Sequence, residues 1–336
     1  MQRRLIEDPQ LNMFQRENGK MHKPTSVAPV SILSHNDHNI SYDKFEKTLD
    51  TLKSKIGMPF FASDNFILYN TDAEKFLDSL NNINFELDIT ITSPPYNIGK
   101  EYEEIIDNND YVNWCKGWMS GIHSATSQNG AFWLNLGYFD VVNKGKCVPI
   151  SYLLWDKSDF YLQQEVVWMY EAGVTAKKRF APRNEKWLFY VKNPLEYTFN
   201  LDSIRDPNVK YPNQKKNGKF RCNPLGKNPG DVWNFPKVTT GTNRSSKERT
   251  EHPAQFPLKV IERIILACSN TDEIVFDPFA GSCSTGIASA GLNRLFIGTE
   301  INIDYCKLAV DRFKKFKDEK SKYTQQSSLL HLIDGE

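Results

Sequence analysis

Two stretches of this chain carry residues in an order suited to chemistry. The first is the apolar run 88–92 (DITIT), which ends in Ser93-Pro94-Pro95-Tyr96. Two prolines directly after a buried strand remove backbone donors and fix φ, so the chain turns rigidly there. The turn leaves the Ser93 hydroxyl and the Pro94 carbonyl facing outward as acceptors, with the Tyr96 ring beside them. That trio fits a planar ligand bearing an NH2 group: the acceptors take its hydrogens and the ring covers its face. Taken alone, the same four residues also fit a purely structural turn.

In the second stretch, strand 273–277 (EIVFD) runs into Pro278-Phe279-Ala280-Gly281-Ser282-Cys283-Ser284-Thr285-Gly286. A strand, a turn of small residues and a helix bring backbone close to a ligand. Gly281 and its neighbours permit that approach, and Asp277 offers an acceptor. The next strand ends in Glu300, where a carboxylate can hold both hydroxyls of a ribose. Its separation from Asp277 is near the roughly 20 residues of that arrangement. The chain has no GxGxxG in this turn and no GxxxxGK[ST] anywhere. A dinucleotide is therefore disfavoured, while an adenosyl ligand without phosphates stays open. A tight turn before a helix is the plainer alternative.

The elements that must position these residues alternate in type. Strands are expected at 66–70, 88–92, 130–137, 164–170, 185–191, 273–279 and 294–301. Helical spacing of apolar residues predicts helices at 42–56, 72–80, 111–125, 257–269, 285–292 and 304–316. This order predicts an α/β fold: a mostly parallel sheet with helices on both faces and ligands at the carboxyl ends of the strands.

The chain has 336 residues and a net charge of +1. Charge is unevenly spread. Residues 203–250 hold eleven Lys/Arg against three Asp/Glu, a net +8 that leaves −7 on the remainder. A basic region on a mildly acidic body suits a phosphate-facing surface, and it also suits a solvated loop. No run of 18 apolar residues exists to cross a membrane, and the N-terminus has no apolar leader segment. Cysteines 115, 147, 222, 268, 283 and 306 form no CxxC pair, so no metal site or disulfide framework is expected and a reducing cytoplasm fits.

TSPPYNIGKEYE resembles the catalytic motif of amino-group DNA methyltransferases, and DPFAGSCSTGIASAGLNRLFIGTEIN resembles their S-adenosylmethionine motif. HPAQFPLKVIERIILACSN (252–270) resembles the segment that closes the methionine end of the cofactor pocket. The catalytic motif precedes the cofactor motif, as in the β arrangement, a circular permutation of a Rossmann-like methyltransferase sheet with an inserted target-recognition region. The resemblance implies an N-terminal extension (1–58), a catalytic half (59–193), a recognition region (194–250), a cofactor-binding half (251–318) and a polar tail (319–336). It implies Ser93, Pro94, Pro95 and Tyr96 as the catalytic set. For the cofactor it implies Asp72, Pro253, Phe256, Asp277, Pro278, Phe279, Ala280, Gly281, Ser282 and Glu300. Asp72 would meet the adenine amino group; it also reads as a helix N-cap. The expected DNA contacts are Lys177, Lys178, Arg179, Arg183, Lys215, Lys216, Lys219, Arg221 and Arg244; some of the first four could line the pocket for an extruded base, while any single one reads more readily as a surface charge. Trp233 is expected to be a packing anchor.

An S-P-P-Y start is more typical of enzymes acting on N4 of cytosine than on N6 of adenine. The implied partners are double-stranded DNA and a restriction endonuclease sharing its site. One position departs from the family pattern DPFxGSGxT: Cys283 stands where the second glycine is usual, which matters if the backbone there needs a positive φ.

Overall fold

Alternation of inward and outward residues along the strands sets two helical layers. On strand Phe66–Asn70, Ile67 and Tyr69 face one core while Phe66 and Leu68 face the other. The computed structural model of the chain describes residues 42–100, 103–171, 175–239, 246–252 and 254–333. The expected contacts Pro253 and Arg244, and most of the expected N-terminal extension, lie outside the described residues.

In chain order the strands are β1 (Phe61–Ser63), β2 (Phe66–Asn70), β3 (Leu87–Thr92), β4 (Thr126–Leu136), β5 (Tyr138–Val141), β6 (Gly145–Pro149), β7 (Tyr161–Met169), β8 (Asn184–Val191), β9 (Lys215–Lys216), β10 (Lys219–Phe220), β11 (Val232–Asn234), β12 (Ile274–Asp277) and β13 (Leu295–Glu300). The helices are α1 (Tyr42–Lys55), α2 (Ala73–Asn82), α3 (Asn108–Ala125), α4 (Ser151–Leu154), α5 (Leu258–Cys268), α6 (Ser284–Gly291) and α7 (Ile303–Ile333). The sequence reading ended the last helix at residue 316 and left a polar tail; α7 instead continues to Ile333. Lys, Glu and Gln after residue 316 are good helix formers, so a helix already nucleated on the core propagates through them.

Nine strands form one sheet in the order β1-β2-β13-β12-β3-β4-β8-β7-β11. Strands β2, β13, β12, β3 and β4 run parallel, whereas β8 is antiparallel to both its neighbours. The circular permutation is visible in that order. Strands β12 and β13, from the end of the chain, fill the gap between β2 and β3 from its beginning. Helices α1 to α4 cover one face, packing Leu52, Phe76, Trp118 and Leu154 on Phe132 and Phe276. Helices α5 to α7 cover the other, with Ile261 and Ile264 on Val275, and Phe313 stacked 4.4 Å from Phe66.

The basic segment does more than loop over the surface. Its strand β11 adds to the sheet edge parallel to β7, pairing Trp233 with Trp168. Trp233 is buried and stacks 5.8 Å from Trp133, in keeping with its expected anchoring role. The sequence reading missed β11 because three residues are too few to show a period. The β9–β10 hairpin stays outside the sheet and is exposed throughout.

Candidate active site

The sheet register puts the two chemical stretches side by side. Strand β12 pairs with β3 at Val275–Ile89 and Phe276–Thr90, so Asp277 and Thr92 end adjacent strands pointing the same way. The Thr92 hydroxyl donates to Asp277 Oδ1 at 2.6 Å, and Thr285 at the start of α6 donates to Oδ2 at 2.7 Å. Asp277 Oδ1 also accepts from the Phe279 N–H at 3.1 Å. The sequence reading offered Asp277 to the ligand. The structure engages both its oxygens with protein donors, so the carboxylate chiefly stitches β3, β12 and α6 together. Burial pushes its pKa up to about 6, against the pull of those hydrogen bonds.

A single cavity of about 540 Å³ joins the two tips, a size in the range of small-ligand sites. One end is lined by Asp72, Phe279, Gly281, Ser282, Glu300 and Tyr305, the other by Ser93, Pro94, Tyr96, Lys100, Glu185 and Lys237. Of the expected cofactor residues, Asp72, Phe256, Asp277, Pro278, Phe279, Ala280, Gly281, Ser282 and Glu300 all line it.

At the first end, two left-handed backbone positions, Gly281 and Cys283, shape the wall. Gly281 has φ +50°, and a Cβ there would lie 2.8 Å from His252 Nε2. Cys283 adopts φ 60°, ψ 40°, the left-handed conformation a glycine takes freely. The departure from the family pattern thus keeps the turn at a strain of about 1 kcal/mol. Its side chain is buried, with Gly286 leaving space beside the sulfur. Glu300 accepts from the Gly281 N–H at 2.9 Å and the Asn302 N–H at 2.8 Å, and burial raises its pKa. Asp72 caps α2, as the T-D-A-E pattern predicts, accepting from Lys75 N at 3.1 Å, and it lines the cavity as well. Phe279 sits edge-on to Trp118 at 5.3 Å. His252, which the sequence reading passed over, packs at 4.5 Å from Tyr305, and burial lowers its pKa to about 4. The wall combines carboxylates, an aromatic and close backbone. It suits a cationic adenosyl ligand with free hydroxyls, and S-adenosylmethionine is such a ligand; a phosphate would meet like charge.

At the second end, a chain of hydrogen bonds fixes what Ser93 can do. The Lys186 carbonyl is an acceptor only, and it takes the Asn135 side-chain NH2 at 3.2 Å. Asn135 Oδ1 therefore faces Tyr96 and accepts its hydroxyl at 2.6 Å. The Tyr96 oxygen in turn accepts from Ser93 Oγ at 2.9 Å. Ser93 has one proton and spends it on Tyr96, so towards the cavity its oxygen presents lone pairs. The turn itself is held by Tyr111, which donates to the Pro95 carbonyl at 2.8 Å, and by Glu103, which accepts from Tyr96 N and Ile98 N. The Tyr96 ring lies over Gly137, where a Cβ would come within 2.8 Å of it. Asn135 and Gly137 escaped the sequence reading because their relevance rests on pairing across the sheet; a polar residue within the apolar run GAFWLNLG was the available signal.

The expected DNA contacts separate from this cavity. Lys177, Lys178 and Arg179 are exposed on the β7–β8 connection, and Arg183 is half-buried with Nη1 donating to the Pro182 carbonyl. None of these four lines the cavity, which fits the surface-charge reading over the pocket-lining one. They fall on the connection between Met169 and Asn184, although Trp168 and Glu185 at its two ends do line the cavity. Lys215, Lys216, Lys219 and Arg221 are exposed on or beside the β9–β10 hairpin. The cations in the cavity wall are instead Lys100 and Lys237. Among the described residues no helix is long and apolar enough to cross a membrane.

Comparison with known proteins agrees with this geometry. Residues 87–311 match the family model N6_N4_Mtase, described as DNA methylase. The chain is 57% identical to Type II methyltransferase M.ScaI of Streptomyces caespitosus over 80% of its own length and 89% of the relative's. It is 34% identical to DNA adenine methyltransferase YhdJ of Escherichia coli (strain K12), over 67% of this chain and 76% of the relative. In fold it is similar to PvuII DNA methyltransferase (cytosine-N4-specific), with TM-score 0.58 and 19% identity over 77% of this chain and 93% of that one. Cavity, permuted sheet and matches converge: the chain belongs to the N6/N4 family of S-adenosylmethionine-dependent, site-specific DNA methylases that modify exocyclic amino groups.

Proposed function

We propose that the chain methylates N4 of a cytosine extruded from duplex DNA, as the modification enzyme of a restriction–modification system with a cognate endonuclease. The observation that supports this reading best is the polarity of the Ser93–Tyr96–Asn135 chain. An exocyclic amino nitrogen is a weak nucleophile because its lone pair is delocalised into the ring. Ser93 Oγ and the Pro94 carbonyl accept its two hydrogens, draw the nitrogen towards sp³ and free the lone pair. Tyr96 covers the base and offsets part of the few kcal/mol that extrusion costs. When bound, S-adenosylmethionine supplies a methyl group activated by its sulfonium. Asp72 and Glu300 would hold its adenine amino group and ribose hydroxyls, Gly281 would keep the turn that orients Glu300, and Phe256 and Phe279 would keep water out. Orientation of this kind supplies several kcal/mol of rate acceleration.

The choice of cytosine follows the serine that opens SPPY. Residues 59–193 and 251–318 are the catalytic and cofactor halves in this reading, and 194–250 the recognition region. Lys177, Lys178, Arg179, Arg183, Lys215, Lys216, Lys219 and Arg221 meet phosphates. Cysteines carried as thiols suit the reducing cytoplasm in which such an enzyme meets its DNA. Methylation of adenine N6 is the second reading, favoured by the likeness to the Escherichia coli adenine methyltransferase. Mass analysis of nucleosides from DNA incubated with protein and labelled cofactor decides. N4-methylcytosine is expected, and N6-methyladenine without it would overturn the first reading.

A further inference from the structure

The base end of the cavity holds an ion pair that the hydrogen-bond chain around Ser93 does not use. Lys237 Nζ lies 3.0 Å from Glu185 Oε1, with side chains 30% and 15% exposed, and both residues line the cavity. The lysine also sits 3.9 Å from the centre of the Tyr170 ring, whose hydroxyl donates to Glu185 at 3.3 Å. A cation held by a carboxylate and a ring face is fixed in position. It still has donors left, because an ammonium carries three.

The register shows where this pair stands. The β4–β8 ladder ends with Leu136 opposite Lys186, next in the chain to Gly137 and Glu185. Gly137 is the residue the Tyr96 ring covers. Lys100 Nζ lies 5.4 Å from the centre of that ring and senses the charges of both Glu185 and Lys237, which places the pair near it. Lys237 arrives from the other side, three residues after β11, where Trp168 Nε1 donates to the Phe235 carbonyl at 2.9 Å and pins the segment.

A base whose amino group lies between Ser93 and Pro94 turns its ring-nitrogen edge elsewhere in the same plane. On cytosine that edge carries two adjacent acceptors, N3 and O2, and no donor. Buried acceptors left unpaired are costly, so a site for such a base needs a fixed donor. We propose that Lys237 donates to the N3/O2 edge of the extruded cytosine and that Glu185 is a positioning residue that aims it. The pair makes the end of the recognition segment part of the base pocket. This inference rests on the cytosine reading above.

The test compares cytosine with 3-deazacytosine, which keeps the amino group and lacks the N3 acceptor, placed at the target position of a duplex. Wild-type protein should lose roughly 10- to 100-fold in kcat/KM on the analogue. Lys237→Met should lose a similar factor on cytosine and almost nothing further on the analogue, because both changes delete the same contact. Glu185→Gln should lose less on cytosine and keep part of the discrimination. Cofactor binding and thermal melting of each variant are measured alongside, and Lys237→Gln replaces Lys237→Met if that variant does not fold. Multiplying losses, or full discrimination retained without Lys237, would overturn the proposal and leave a purely structural ion pair. Nucleoside analysis of the wild-type product separates the two levels. If it yields N6-methyladenine, the cytosine reading and its N3/O2 assignment fall together. If it yields N4-methylcytosine while the losses multiply, the ion-pair proposal alone falls.

Discussion

The tips of β3 and β12 and the β9–β10 hairpin hold their polar groups in opposite ways. At the tips the polar groups are buried or half-buried and linked by hydrogen bonds: Thr92 and Thr285 both donate to Asp277, and Ser93 is polarised through Tyr96 and Asn135. On the hairpin Lys215, Lys216, Lys219 and Phe220 are all exposed. Methyl transfer needs atoms held to a fraction of an ångström, which buried hydrogen bonds provide. Attraction to a phosphate backbone acts across roughly 8–10 Å of screened solvent and needs only charge density.

The largest test of this contrast is Ser93→Ala. It removes one acceptor from the amino group and should cut turnover by about 10²-fold or more, with cofactor and DNA binding retained. Wild-type turnover in that variant would break the assigned role. Next comes Asp277→Ala, which leaves the Thr92 and Thr285 hydroxyls unpaired in the core. It should lower unfolding free energy by about 2 kcal/mol and weaken cofactor binding, measured by denaturant melts and calorimetry. Unchanged stability would mean the two tips are held by other contacts. Replacing Lys215, Lys216, Lys219 and Arg221 with Gln should reduce the slope of log affinity against log salt by roughly 3 to 4, with cofactor affinity unaffected. An unchanged slope would place the phosphate contacts elsewhere.

The smallest effect concerns pH. Burial first, then the nearby charges of Lys100 and Arg312, hold His252 near a pKa of about 4, below its usual 6.5. Between those values the unfolded chain binds a proton that the folded chain does not, so folding weakens as pH falls through that window. His252→Gln should remove about 1 kcal/mol of this loss, after allowance for partial exposure. Asp277, with its raised pKa of about 6, contributes in the opposite sense: between its ordinary value and 6 the folded state holds the extra proton, and stability falls as pH rises. Wild-type and His252→Gln melts at pH 7 and pH 5 isolate the histidine. Parallel curves would show that His252 is protonated freely in the fold.

Much of the site was legible along the chain because its parts are local. SPPY is a rigid turn wherever it occurs after a strand, and DPFAGS is a strand, a close turn and a helix within ten residues. Asp72 could be read as a cap from T-D-A-E alone. The residues that went unread, Asn135 and Gly137 against Tyr96 and Glu185, Lys237 and His252 in the cavity wall, are ordinary in their own neighbourhoods and acquire meaning only from what they face. Lys177, Lys178 and Arg179 show the converse: a cluster of charge beside a strand end is a property of sequence and left surface and pocket both open, while entry into a pocket depends on where the connection leads.

What the order of amino acids determined by itself was the pair of motifs, the alternation of strands and helices and the basic character of the 203–250 segment. These depend on residue type and on spacings of a few positions. What tertiary structure alone decided was that Thr92 meets Asp277 across a separation of 185 residues, that Asn135 sets the polarity of Ser93, and that Lys237 meets Glu185. The reason is the sheet: by inserting β12 and β13 between β2 and β3, it makes neighbours of strand ends that chain connectivity keeps far apart.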